Sequence, residues 1–217
     1  MTTGRASGLS TAQGYYWHAY LLGDRSLVRR LQRRAFLDRR ALGGVLLGMF
    51  SVAVRWLSPD RHNPAEIRLF AERVTKEWLA LLDAAAATEH TRAAHGVTAD
   101  EVSRAIRWEL GEAAGDEDAS PAHPGLAELA VVITAVRDLE LKPGDIDRMI
   151  SSAEGLARQW GINLVAYRPG FILRWRFEMA ELRRYGYPAR KRWSAERSGA
   201  FVVCLRGDST SERESRP

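Results

Sequence analysis

An apolar segment, 41–54, limits what this chain can fold into more than any other feature of the sequence. Its fourteen residues include one polar side chain, Ser51. A membrane-spanning helix needs about 20 apolar residues, so we interpret the segment as a helix buried in a protein core. Gly44 and Gly48, spaced four apart, predict that another helix packs closely against this one.

The residues before this segment predict an amphipathic helix over 24–42. Asp24 is a good N-cap because its short side chain can accept from the first free amides. At helical spacing, one side carries Leu27, Val28, Leu31, Ala35 and Leu42. The opposite side carries Arg25, Arg29, Arg30, Arg33 and Arg40. One face of this helix should therefore pack, and the other should be cationic.

Helix-start signals recur along the chain and predict a mainly α fold. Asn63-Pro64 combines an N-cap with proline at the first helical position, and Thr98 with Glu101 forms a capping box. Further helices are predicted over 15–22, 125–139 and 146–160 from their apolar spacing. We therefore expect an irregular bundle of six to seven helices.

The C-terminal third allows two interpretations. Residues 162–167 and 171–177 could pair as a small antiparallel β element around Pro169-Gly170, whereas 171–185 could also form one helix. The predicted organisation is a flexible tail over 1–14, a helical domain over 15–206 and a second flexible tail over 207–217. An acidic stretch rich in Gly and Pro, 112–124, is the expected internal boundary.

Charge is divided unevenly along the chain. Of the 32 basic residues only three are lysine. The net charge is +6 over residues 1–60, −7 over 61–163 and +6 over 164–217. Arginine binds phosphate well, although an arginine excess is also typical of GC-rich coding sequence. The division predicts an anionic partner for one or both basic ends.

A second basic tract, near the C-terminus, interleaves cations with aromatic side chains that could stack on unpaired bases. Its candidate binding residues are Arg183, Arg184, Arg190, Lys191, Arg192 and Trp193. Together with the arginine face of 24–42, this tract favours a non-enzymatic protein that binds the backbone of DNA or RNA.

The sequence gives little support for metal binding or catalysis. The five histidines have no ligand spacing with one another or with a cysteine, so no metal or other cofactor is expected. The sequence contains no glycine-rich phosphate loop and no nucleophile elbow. The enzymatic alternative that stays open is therefore an active site assembled only in three dimensions. A lone cysteine, Cys204, and the absence of a signal sequence predict a cytoplasmic protein.

Two alternatives remain open. Basic ends that meet the acidic middle of another subunit would make the protein a scaffold, forming a homo-oligomer or part of a larger complex. More weakly, residues 24–57 could lie on a membrane, with arginines at anionic headgroups.

Overall fold

The computed structural model describes residues 9–32, 38–57, 63–85, 95–112 and 125–167. Within these ranges the chain is 78% helical and contains no β-strand, which confirms the mainly α prediction. The helices are α1 (Ala12–Leu21), α2 (Arg25–Gln32), α3 (Arg39–Leu57), α4 (Pro64–Ala84), α5 (Ala99–Glu109), α6 (Leu126–Asp138) and α7 (Pro143–Gln159).

The described residues form two compact units, and the division falls within α6. The first unit contains residues 9–32, 38–57 and 131–167, and the second contains 63–85, 95–112 and 125–130. The predicted internal boundary at 112–124 lies almost wholly outside the described residues.

Helix α3 is the centre of the first unit and packs most extensively against α7. A Cβ atom placed on Gly48 would lie 2.7 Å from the carbonyl oxygen of Ala153, so the two helix backbones meet directly there. Gly44 faces the side chain of Ile162, just beyond the end of α7. The close approach predicted from the paired glycines is confirmed.

Helix α3 is also long and apolar enough, by length and composition alone, to cross a membrane. Its most apolar stretch is 61% buried inside the protein, as expected for a helix that belongs to a protein core. Most of its side chains are therefore already in contact with protein.

All ten residues of α1 are buried, because α2, α3 and α7 all pack against this short helix. Its aromatic side chains also pack on one another: the rings of Tyr16 and Tyr20 stack, and Trp17 meets Tyr20 edge to face. The prediction of a tail over 1–14 extends too far into the chain, since α1 begins at Ala12 and the core already includes Leu9.

The predicted single helix over 24–42 is wrong at its C-terminal end. Asp38 is not helical, and its side-chain Oδ1 accepts from the backbone N–H of Arg40 at 3.2 Å. It therefore caps a new helix, α3, to which Arg40 and Leu42 belong. Residues 33–37 lie outside the described part of the chain.

The second unit is built on α4 and α5, and both start signals are confirmed. The Asn63 side chain accepts from Ala65 N–H at 3.0 Å. At α5, Thr98 and Glu101 bond reciprocally in the predicted capping box. The buried stripe of α4 consists of Ile67, Phe70, Ala71, Val74, Trp78 and Leu82.

Residues 162–167 pair with the start of α1 in the first unit. Thr11 and Ala166 form one antiparallel bridge, flanked by hydrogen bonds from Ala12 N–H to Val165 O and from Tyr167 N–H to Ser10 O, both 2.9 Å. The predicted hairpin partner, 171–177, and the alternative helix over 171–185 lie outside the described residues, as does the tail over 207–217.

Candidate nucleic-acid interface

A tight turn sets α2 against α1. Gly23 has a φ of 70°, a conformation that glycine adopts without steric cost. The N–H of Asp24 bonds to Ala19 O and the N–H of Gly23 bonds to Tyr20 O, as in a Schellman motif. Asp24 then accepts from Leu27 N–H at 3.1 Å and caps α2, as predicted. Helix α2 therefore folds back on α1 within three residues.

The amphipathic character predicted for α2 is present in its described residues. Leu27, Val28 and Leu31 are buried. Arg29 and Arg30 are exposed, and Arg25 is half-buried. Because α2 packs on α1, burial of its apolar stripe directs Arg29 and Arg30 into solvent.

Helix α1 also holds the first turn of α3. The indole Nε1–H of Trp17 donates to the carbonyl oxygen of Leu42 at 3.0 Å. Arg39 and Arg40, in that same turn, are both exposed. One buried helix thus positions both arginine-bearing segments of the first unit.

Arg39 was missed by the sequence reasoning. On a single helix over 24–42 it does not belong to the cationic side, whereas a helix that starts at residue 39 exposes it beside Arg40. The signal that could have found it is Asp38, an N-cap residue three residues before the start of a long apolar run.

The exposed arginines are not neutralised within the described part of the molecule. Arg29, Arg30, Arg39 and Arg40 form no ion pair with any carboxylate of the described residues. We name these four the arginine patch. Arg39 and Arg40 also lie at the positive end of the α3 dipole, where cations are disfavoured by about 0.3–1 kcal/mol each.

The two units differ in charge. Residues 61–130, which supply all the described residues of the second unit, contain seven basic and thirteen acidic residues, whereas 131–163 contain four and five. The acidic excess found over 61–163 therefore belongs almost wholly to the second unit. Residues 1–60, with nine basic and three acidic residues, supply α1 to α3 of the first unit.

Two polar contacts fix α1 against α7. The Glu154 carboxylate, 1% exposed, accepts from the hydroxyls of Ser10 at 2.9 Å and Thr11 at 2.6 Å. One heptad away, His18 Nε2 lies 3.2 Å from Asp147 Oδ1. Because 11 and 18 on one helix match 154 and 147 on the other, α1 and α7 run antiparallel.

Gly14 makes the first of these contacts possible. A Cβ atom there would overlap the Glu154 carboxylate, so only glycine lets that side chain reach the start of α1. Arg158 reaches the same cluster and donates to Ser10 Oγ at 3.0 Å. These residues anchor α1, against which both α2 and α3 pack, and neither Glu154 nor Asp147 was singled out from the sequence as a partner of α1.

Arg33 and the whole C-terminal tract lie outside the described residues; that tract comprises Arg183, Arg184, Arg190, Lys191, Arg192 and Trp193. Within the ranges that the structure describes, no three His, Cys, Asp or Glu side chains are grouped so that they could hold a metal ion.

Comparison with protein-family models, with curated proteins and with solved structures finds no match to this chain.

Proposed function

We propose that this protein binds nucleic acid, DNA or RNA, through contacts to the phosphate backbone, with the arginine patch of the first unit as its described binding surface. The observation that carries the proposal is that Arg29, Arg30, Arg39 and Arg40 are exposed and have no carboxylate partner among the described residues. The C-terminal basic tract and Arg25 and Arg33 belong to the same proposal.

Phosphate is the anion that this arrangement suits best. Guanidinium groups contact phosphate oxygens through two parallel hydrogen bonds, and they remain charged at any physiological pH. The first turn of α3 adds the positive end of the helix dipole. The position of Arg39 and Arg40 at this end of the dipole costs stability in the free protein. A bound phosphate would compensate for that cost because it is attracted by both the arginines and the dipole.

Helix α1 holds in place the two segments that carry the arginine patch. Since α2 and the start of α3 both rest on one buried helix, the backbone of the patch is preorganised and little backbone order must be gained on binding. Backbone contacts need no base readout, so we expect weak sequence preference and strong salt dependence. The single cysteine, Cys204, is consistent with a cytoplasmic site of action, which is part of the proposal.

A matched pair of charge variants tests the proposal. In the first, the four residues of the arginine patch are replaced by glutamine. In the second, four cations of the second unit are replaced by glutamine: Arg68, Arg73, Lys76 and Arg104. Both variants lower the net charge by four, so a difference between them reports the position of the charge and not its total.

Fluorescence anisotropy of a labelled oligonucleotide at low salt is the readout, and circular dichroism confirms that each variant is folded. We expect the patch variant to lose most of its affinity and the second-unit variant to bind as tightly as the wild type. Absence of binding by the folded wild type at low salt, or equal losses in both variants, would contradict the proposal.

A second candidate function is a protein-interaction subunit that forms oligomers. It is favoured by two large apolar side chains that the acidic second unit leaves in solvent, Trp108 at 71% and Leu69 at 66% exposure. Charge attraction between the arginine patch and the second unit of another copy would then hold the assembly together. Molar mass measured by light scattering should fall as ionic strength rises, and a monomer mass at every ionic strength contradicts this candidate.

A further inference from the structure

A groove on the first unit lies between the last turns of α3 and one face of α7. Its volume is about 300 Å³, at the small end of the range for ligand sites. It is lined by Val52, Arg55 and Trp56 of α3 and by Ser152, Gly155, Leu156 and Gln159 of α7. The spacing of these residues, three, four and seven apart, shows that each helix contributes a single face.

Gly155 keeps the groove open. A Cβ atom on this residue would meet nothing within 4 Å, so a larger side chain at this position would project into free space. Trp56 forms part of the lining and is 39% exposed. Part of the indole is therefore accessible to a ligand in the groove.

The polar groups of the groove favour an anionic, planar ligand. Arg55 is exposed directly beside Trp56 in the chain, and both residues line the groove. Ser152 and Gln159 add hydroxyl and amide groups that can bond to the edge of a heterocycle. The groove thus combines a stacking surface, a cation and hydrogen-bonding groups.

We infer that this groove holds an unpaired nucleobase, stacked on Trp56 with its phosphate on Arg55, so that the protein binds single-stranded nucleic acid in preference to duplex. This inference rests on the proposed function and names the form of nucleic acid that the protein takes. In a duplex both faces of a base are already stacked, so only an unpaired base can present a face to the indole.

The test uses the full chain with a labelled oligothymidylate, longer than a single site of about 4–16 nucleotides, and a duplex of equal length. Trp56→Ala should weaken single-strand binding roughly 5- to 150-fold, the range that base–aromatic stacking supplies, and should leave duplex binding unchanged. Trp56→Phe should retain most of the affinity because it keeps an aromatic face. Trp108→Ala, which removes a more exposed tryptophan from the second unit, should have no effect.

A second variant fills the groove and leaves the indole in place. Gly155→Leu should also weaken single-strand binding, and the open space at this position allows the fold to accept it. If folded Trp56→Ala and Gly155→Leu bind the single strand as the wild type does, the inference is wrong and the proposed function stands. If the wild type binds neither form at low salt, both are wrong.

Discussion

The contact between α3 and α7 makes a sharp prediction for Gly48→Ala. The new methyl group would lie 2.7 Å from Ala153 O and 2.8 Å from Ala153 Cα. Both are backbone atoms that cannot rotate away, so the two helices must separate. Overpacking costs about 1–3 kcal/mol, and we expect the upper half of that range here because backbone atoms cannot yield by a change of rotamer. Alanine recovers about 0.5–1 kcal/mol of helix propensity, which leaves a net loss of about 1–2.5 kcal/mol.

Gly43→Ala is the matched control, because it lies in the same helix and a Cβ atom there meets nothing within 4 Å. It should raise stability by about 0.5–1 kcal/mol through propensity alone. For a chain of this size, about 2–4 °C of Tm corresponds to each kcal/mol. In thermal melts followed by circular dichroism, Gly48→Ala should therefore melt roughly 2–10 °C below the wild type and Gly43→Ala roughly 1–4 °C above it. A Gly48→Ala protein that melts at or above the wild type would refute the close approach of the two helices.

Three further predictions concern single side chains. Thr98→Ala removes the N-cap of α5 and should cost about 0.5–2 kcal/mol in urea unfolding; a loss of similar size in an exposed-site control such as Gln32→Ala would argue against the cap. Glu154→Ala leaves the hydroxyls of Ser10 and Thr11 without their buried acceptor and should cost about 1–3 kcal/mol, whereas Glu154→Gln should recover part of this loss; equal stabilities of the two variants would contradict the role of the acceptor. A side-chain hydrogen bond from Arg148 and one from the Lys142 backbone hold the pKa of Asp145 below its usual value, so its contribution is present above the unfolded-state pKa and is lost as pH falls through the lower folded-state value. Asp145→Asn should therefore be less stable than the wild type at neutral pH, with a difference that shrinks between about pH 5 and pH 3, and a difference that stays constant over this range would contradict the assignment.

Local signals predicted the helices well because the groups that define them are close in sequence. The Thr98 hydroxyl and the Glu101 backbone N–H that it accepts from are three residues apart, so the capping box could be read directly. The buried residues of α4 repeat at helical spacing for the same reason. The glycine pair of α3 predicted close packing, although nothing local identified Ala153 as the surface it meets.

The candidate site was only partly predictable. The apolar stripe of α2 and the exposed Arg29 and Arg30 follow from periodicity. The break before α3 was missed because the amphipathic pattern appeared to continue to residue 42, and with it Arg39 was missed. A cap residue, Asp38, outweighed that pattern because it satisfies the free amide of Arg40.

The contacts that anchor α1 could not be predicted from sequence. Thr11 and Glu154 are 143 residues apart, and Glu154 resembles any acid on an amphipathic helix until α1 is packed beside it. The same is true of His18 and Asp147. Only the packing of α1 on α7 pairs these side chains, and no spacing along the chain encodes that packing.

The salt dependence of nucleic-acid binding tests the central claim most directly. Each phosphate contact contributes about −0.7 to the slope of log K against log salt for a single strand and about −0.9 for a duplex. If each arginine of the patch contacts one phosphate, replacement of all four by glutamine should make the slope shallower by roughly 3–4. The matched second-unit variant should keep the wild-type slope. A wild-type slope near zero, or a slope that the patch variant leaves unchanged, would contradict the claim that these arginines contact the backbone.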